Sequence, residues 1–218
     1  MEIDWHGERL ELLAERAAYW PRTGMLLVAD LHVGKDAAFR QRGLALPAGV
    51  GASDLRRLTT ILQSRPVSRL VFLGDLIHAR SGITPATCDD VAEWRKRHDT
   101  LDVTLVRGNH DRAAGDPPAD WRIDCVAEPY SAPPFSLCHN PSLHGSGLPT
   151  IAGHLHPAVG LAGPAGTHMT LPCFWMREGL LVLPAFTEFS GRHRIDAAHG
   201  DRIFVVGEGH VVEIDGFA

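Results

Sequence analysis

Residues that would staple or coat this protein are scarce. Its four cysteines, Cys88, Cys125, Cys138 and Cys173, are widely spaced with no C-x-x-C pair, which argues against both a zinc knuckle and a disulfide framework. They are expected to be reduced core residues. Only two lysines occur and the net charge is -5, so a general basic surface that coats nucleic acid is excluded, while a local cationic site is not. No run of about 18 apolar residues exists to span a membrane. The opening MEIDWHGERL carries acids in place of the apolar stretch of a secretory signal, which gives the expectation of a cytoplasmic protein with no membrane partner. No Pro/Gly/Ser-rich linker, charge block, internal repeat or low-complexity segment divides the 218 residues, and 1–218 reads as a single domain.

What is present centres on Leu70–His78, LVFLGDLIH. A buried strand that stops on glycine can turn sharply and present the next side chain, Asp75, at the carboxyl edge of a sheet, where open α/β folds build their sites. The chain repeats this construction. Met25–Ala29 (MLLVA) runs into Asp30-Leu31-His32, and Leu101–Val106 into Arg107-Gly108-Asn109-His110-Asp111. Phe135–Cys138 leads to His139, and Thr150–Ala152 to Gly153-His154-Leu155-His156. Asp30 and His32, two apart on an extended segment, would point to one side and suit a single ion.

Between these runs the periodicity is helical. Ser53 can cap a helix from Asp54 to about Gln63, with Leu55, Leu58 and Leu62 on one face and Pro66 beyond its end. A second helix is expected from Pro85 to about His98, with Val91 and Trp94 inward. Strand, helix and strand in sequence predict βαβ crossovers. Glu8–Glu15 alternates as an edge strand would, and Tyr19-Trp20-Pro21 breaks the pattern. Beyond Asp111 helical periodicity fades, and short β-like runs continue to Ile214. The first half therefore reads as α/β and the second as mostly β.

A lone histidine at a strand end is ordinarily a surface or hydrogen-bonded residue. Five strand ends that carry Asp30/His32, Asp75, Asn109/His110, His139 and His154/His156 call for another account. An oxygen and imidazole set without thiolate favours manganese, iron or zinc in a reactive site over a structural zinc.

These motifs resemble the D-x-H, G-D, G-N-H-D/E, H and G-H-x-H pattern of the calcineurin-like metallophosphoesterases. The resemblance implies an α/β fold in four αββα layers, two mixed β-sheets flanked by helices, with a dimetal site at the strand ends. It implies Asp30, His32 and His156 on one divalent ion, Asn109, His139 and His154 on the other, and Asp75 between them. Manganese is the first expectation, with iron or zinc as alternatives. Two such ions about 3.5–4 Å apart can hold a hydroxide and bind phosphate oxygens for in-line attack. Two carboxylates against two dications leave the site electropositive. His110 is the candidate general acid, because an imidazole can protonate a leaving oxygen. Asp111 either orients it or serves the loop.

The G-D-x-x-D-R-G element of serine/threonine protein phosphatases is absent. G-D-L-I-H instead resembles the repair nucleases of the superfamily, in which a histidine placed like His78 assists the one in G-N-H-D. YWP, VADLHVGK, FRQRG, LVFLGDLIH, GNHD, GHLHP, LPCFW and LPAFTEFSG together resemble the bacterial ligase-associated DNA-damage-response endonucleases over nearly the full length. That resemblance implies single-stranded or damaged DNA as substrate and association with a DNA ligase, a helicase and an exonuclease. Thr187-Glu188 and Ser190 depart from its pattern.

Lys35, Arg40 and Arg42 follow D-x-H, and Arg80 and Arg112 lie just beyond two other motifs. Each is a candidate phosphate contact or a solvated charge. Phe174, Trp175, Phe186 and Phe189 are candidates to stack on bases or to fill the core. His144 is a loop residue within reach of the same region. The leading function is a metal-dependent phosphodiesterase that nicks DNA. Two alternatives are a small-molecule phosphodiesterase or phosphomonoesterase, and a non-catalytic subunit of a repair complex.

Overall fold

Seven strands lie side by side in chain order to make the first sheet. In the computed structural model, which describes residues 1–44, 50–145, 147–162 and 168–214, β1 (Glu2–Trp5), β2 (Glu8–Leu12), β3 (Ala17–Trp20) and β4 (Met25–Val28) run antiparallel to one another. From β4 the sheet continues in parallel through β5 (Arg69–Phe72), β6 (Asp102–Val106) and β7 (Asp124–Val126). The change of sense follows from the connections. The chain between β4 and β5 carries α1 (Lys35–Gln41) and α2 (Val50–Ser64), and that between β5 and β6 carries α3 (Pro85–Arg97). A parallel return needs such a crossover.

Period-two alternation divides the core into two layers. Leu26, Val28, Leu70, Phe72 and Leu105 face the helices and pack on Leu55, Leu58 and Ile61 of α2 and on Val91 and Trp94 of α3. Met25, Leu27, Val71, Leu73 and Val106 face the other way, onto Phe135, Ile151, Phe174, Leu181 and Phe204 of a second sheet. That sheet contains β8 (Tyr130–Ala132), β9 (Phe135–Leu137), β10 (Thr150–Ala152), β11 (Pro157–Ala162), β12 (His168–Arg177), β13 (Leu180–Val182) and β14 (His193–Arg194), in the order β14-β11-β12-β13-β10-β9-β8. It is extended from β12 by β15 (Arg202–Gly207) and β16 (His210–Ile214). Parallel pairs β9/β10 and β10/β13 sit among antiparallel ones, so both sheets are mixed. Ile195, Ala197 and Ile214 pack on the outer side of this second sheet. The fold is the expected α/β sandwich of two mixed sheets with helices.

Local expectations fail where local signals mislead. Glu8–Leu12 is an interior strand between β1 and β3. Its alternation reports one face on the core and one toward solvent, which edge and interior strands share. Tyr19 and Trp20 end a strand, β3, whose four residues are all buried and so show no alternation. Ser53 lies inside α2, which begins at Val50, and the position before it lies outside the described residues. The short helix α4 (Asn109–Ala114) had no periodic signal because it is under two turns long. All four cysteines are free, and burial pushes the Cys173 thiol up to about 12 and the Cys125 thiol up to about 11, which makes both inert.

Candidate active site

Every motif read from the chain leaves a strand at its carboxyl end. Asp30 and His32 follow β4, Asp75 follows β5, Asn109 and His110 follow β6, His139 follows β9, and His154 and His156 follow β10. Main-chain bonds lace the turns together. Asp30 N donates to Gly74 O (3.2 Å), His32 N to Asp75 O (2.9 Å) and Gly153 N to His139 O (3.2 Å). Side chains do the same, with His154 N donating to Asp30 Oδ2 (2.9 Å) and His110 N to Asp75 Oδ1 (2.9 Å).

The D-x-H segment is not extended, contrary to the sequence reading. Asp30 and His32 have φ of 55° and 53°, and Asp75, His154 and His156 are also left-handed, at 52°, 72° and 49°. Left-handed backbone is costly for residues other than glycine and persists where surrounding structure over-determines it. Asp30 and His32 therefore converge because of two unusual backbone conformations. The motif glycines have a steric reason. A Cβ on Gly74 would lie 2.2 Å from His139 Nδ1, and one on Gly108 would lie 2.3 Å from Asp75 Oδ1.

Among the described residues three groups of candidate ligand atoms result: two correspond to the expected sets, Asp30/His32/His156 and Asp75/His139/His154, and a third is His32/His78/His110. In the second, His139 Nδ1 donates to Leu73 O (3.0 Å), which turns its Nε2 toward Asn109 Oδ1 at 2.9 Å, His154 Nδ1 at 2.9 Å and Asp75 Oδ1 at 3.4 Å. Oxygen and imidazole donors thus crowd one another. In the first group, His156 Nδ1 donates to Gly191 O (3.1 Å), which turns its Nε2 toward Asp30 Oδ1 at 3.4 Å. Asp30 Oδ1 and His32 Nδ1 are buried without any hydrogen-bond partner. Buried acceptors left in this way are expensive unless a cation takes them. The residues present therefore fit divalent metal ions.

Electrostatics agree. Burial pushes the Asp75 carboxyl up to about 6, with the Asp30 charge adding and His139 opposing. Burial also drives His32 far below the ordinary imidazole range, helped by Lys35, and favours its neutral form. At His156 burial acts downward, but the Asp30 carboxylate beside it outweighs it and the net shift is upward.

His110 and His78 stand on the open side. His110 Nδ1 donates to His78 O (2.7 Å), and its Nε2 lies 3.9 Å from Asp75 Oδ2. The His78 ring stacks on that of His110 (centroids 5.0 Å, 23°), with His32 edge-on to both. Burial lowers His78 to about 4, with Lys35 and His110 contributing. Asp111 is fully buried, and its carboxylate bonds to main-chain amides and not to the His110 ring. Its two oxygens accept from Ile77 N and Gly108 N, both at 2.9 Å, which ties the G-D-L-I-H turn to the start of α4.

The candidate phosphate contacts separate. Lys35, at the start of α1, is half-buried and interacts with the charges of Asp30 and Asp75, which oppose the downward pull of its burial. Arg40 is exposed and bonds to Asp36 (3.0 Å). Arg80 is exposed on the turn after His78, within the Arg80–Gly82 3₁₀ segment. Arg112 pairs with Glu128 (2.9 Å), whose other oxygen accepts from His139 N and Asn140 N (both 2.8 Å), so it braces the His139 turn. His144 rests against Gly179, away from the groups above. Phe174, Trp175 and Phe186 belong to the core, and only Phe189 among the four aromatics is half-buried beside the site.

One supporting layer escaped the sequence reading. Arg57 on α2 pairs with Asp54 (3.2 Å) and Glu188 (3.4 Å), donates to Phe186 O and lies over the Phe186 ring. Arg16 reaches Thr187 O (3.1 Å). The segment they clamp donates from Phe186 N to Ala29 O (2.8 Å) and supplies Gly191 O to His156. The departure Thr187-Glu188 was the available signal, because both residues contact α2.

A family model described as calcineurin-like phosphoesterase matches residues 25–163. The solved structure of the nuclease MPE of Pseudomonas putida is 42% identical, superposes with a TM-score of 0.87, and aligns over 98% of this chain and 99% of that one. No curated protein matches. With the ligand turns in place on two mixed sheets, the chain belongs to the calcineurin-like phosphoesterase family and is a hydrolase of phosphoester bonds.

Proposed function

We propose that this chain is a metal-dependent phosphodiesterase that nicks single-stranded or damaged DNA, with residues 1–218 acting as one unit. The observation that carries the reading is the convergence of oxygen and imidazole donors, Asp30/His32/His156 and Asp75/His139/His154 with Asn109, beneath the His110/His78 pair. The similar Pseudomonas putida protein is named a nuclease, which supports a nucleic-acid substrate.

Asp30, His32 and His156 would hold one divalent ion and Asn109, His139 and His154 a second, with Asp75 shared and manganese the first choice over iron or zinc. When bound, such ions supply Lewis acidity toward the phosphate oxygens and acidify water. The chain's own part is to place and protonate. His110, fixed through Nδ1 by the His78 carbonyl, presents Nε2 as the atom that, in the imidazolium form, gives its proton to the leaving oxygen. His78 stacks behind it and keeps that ring in place. Lys35, which interacts with the charges of Asp30 and Asp75, is the first candidate to take a phosphate oxygen, with Arg40 and Arg80 as further candidates. Asp111 and Arg112 serve as braces of the turns. Cytoplasmic action beside a DNA ligase, a helicase and an exonuclease in repair completes the proposal.

The test is cleavage of circular single-stranded DNA and of bis-p-nitrophenyl phosphate with manganese. Wild type should cut both, Asp75→Ala neither, and His110→Ala should lose about a hundredfold or more on each. Hydrolysis of the small ester alone would defeat the DNA assignment.

A further inference from the structure

The core claims most of the phenylalanines. Among the described residues Phe72, Phe135, Phe174, Phe186 and Phe204 are at most 2% exposed. The other two described, Phe39 and Phe189, are half-buried and meet each other beside the histidines. Phe189 lies edge-on to Phe39 (6.1 Å, 89°), Phe39 stacks on His78 (5.5 Å, 19°), and His78 stacks on His110 (5.0 Å, 23°). A continuous run of rings thus leads outward from the group that faces Asp75.

Lys35 stands where this run meets the charged site. Its Nζ is 5.8 Å from the Phe189 centroid, and it interacts with Asp30 and Asp75. A cation between a carboxylate-lined centre and an aromatic corner suits a ligand with an anion at one end and a flat apolar face at the other. A nucleotide of DNA has that form. Stacking is tolerant of sequence because every base has a π-face, and a base inside a duplex has both faces covered and must leave the stack to be gripped.

We propose that Phe39 and Phe189, backed by His78, form a seat for one unpaired nucleobase next to the scissile phosphodiester. The seat rests on the DNA-hydrolysing reading above and adds to it a physical reason for preferring single strands without sequence preference.

The test begins on the substrate side, where folding of a variant plays no part. A fluorescent oligothymidylate with hydrolysis-resistant phosphorothioate links is titrated with the full, manganese-loaded chain. An oligomer of the same length and linkage with every base removed is titrated in the same way, so that a shift of register cannot hide a lost stack. It should bind about tenfold or more weaker, at least the size of one lost base stack. In Phe39→Leu and Phe189→Leu the gap between that oligomer and the intact one should shrink to about twofold or less, and Phe39→Tyr should retain it. Equal affinity of wild type for the two oligomers, or a gap that persists in both leucine variants, would overturn the seat. If wild type cuts DNA under either of those outcomes, the nuclease reading stands without the seat. If wild type neither binds nor cuts DNA while it hydrolyses bis-p-nitrophenyl phosphate, both fall.

Discussion

The two ligand groups are built by different means. The Asp75 group stands on strand ends joined by short-range packing. Gly74 and Gly108 admit His139 and Asp75 at distances no Cβ would allow, and buried Asp111 pins both turns. The Asp30 group relies on a remote segment. His156 is oriented by Gly191 O, and residues 186–188, which lie against Ala29, are clamped by Arg57 and Arg16 from outside the motifs. The same kinds of ligand can therefore rest on stiff or on adjustable supports, and the two halves should respond differently to change.

The strongest way to break the comparison is at the stiff half. Gly108→Ala puts a Cβ 2.3 Å from Asp75 Oδ1 and 2.6 Å from Asp75 N. Phosphodiester turnover should fall by about a hundredfold or more, with a stability loss of about 1–3 kcal/mol from overpacking. Steady-state hydrolysis and denaturant unfolding measure the two, and near-wild-type turnover would show that the turn yields.

Arg57→Met sharpens the comparison at the adjustable half. It leaves Asp54, only 3% exposed, with its pairing reduced, and frees the segment that orients His156. Manganese affinity should drop by about tenfold at one of two calorimetric steps, in the range found for outer-shell partners. A uniform shift of both steps would mean that the halves are not separately supported.

The smallest effect lies outside both halves and checks that acid sensitivity of the fold is independent of the site. The Arg22 hydrogen bond, with that of Trp20, holds the Glu8 carboxyl below the usual range against an opposing effect of burial. A depressed carboxyl contributes stability above its unfolded pKa, near 4.3 for glutamate, and loses it as pH falls through the lower folded value. Glu8→Gln should therefore lower Tm slightly at neutral pH and converge with wild type in acid. An equal deficit at pH 7 and well below pH 4 would remove the charge from the explanation.

Legibility in the sequence followed the range of the physics. Apolar runs that end in Gly-Asp, Gly-Asn-His or Gly-His were readable because burial of a strand and a sharp exit from it are local properties, and they located the ligand turns. The βαβ crossovers were readable for the same reason, through Leu55, Leu58, Val91 and Trp94 at helical spacing. β3 and α4 were not, because four uniformly buried residues and six helical ones show too few periods to declare a pattern.

The sequence by itself thus determined which residue types stand at which strand ends and from those types a cation-binding chemistry, with phosphoester hydrolysis implied by the resemblance of the motifs. Tertiary structure alone decided how they meet. Asp30 receives the His154 amide across 124 residues, five ligands adopt left-handed backbone, and Arg57 reaches a segment far along the chain. Such arrangements are unfavourable for any isolated segment and are held only by the summed packing of the two sheets, so no local pattern can announce them.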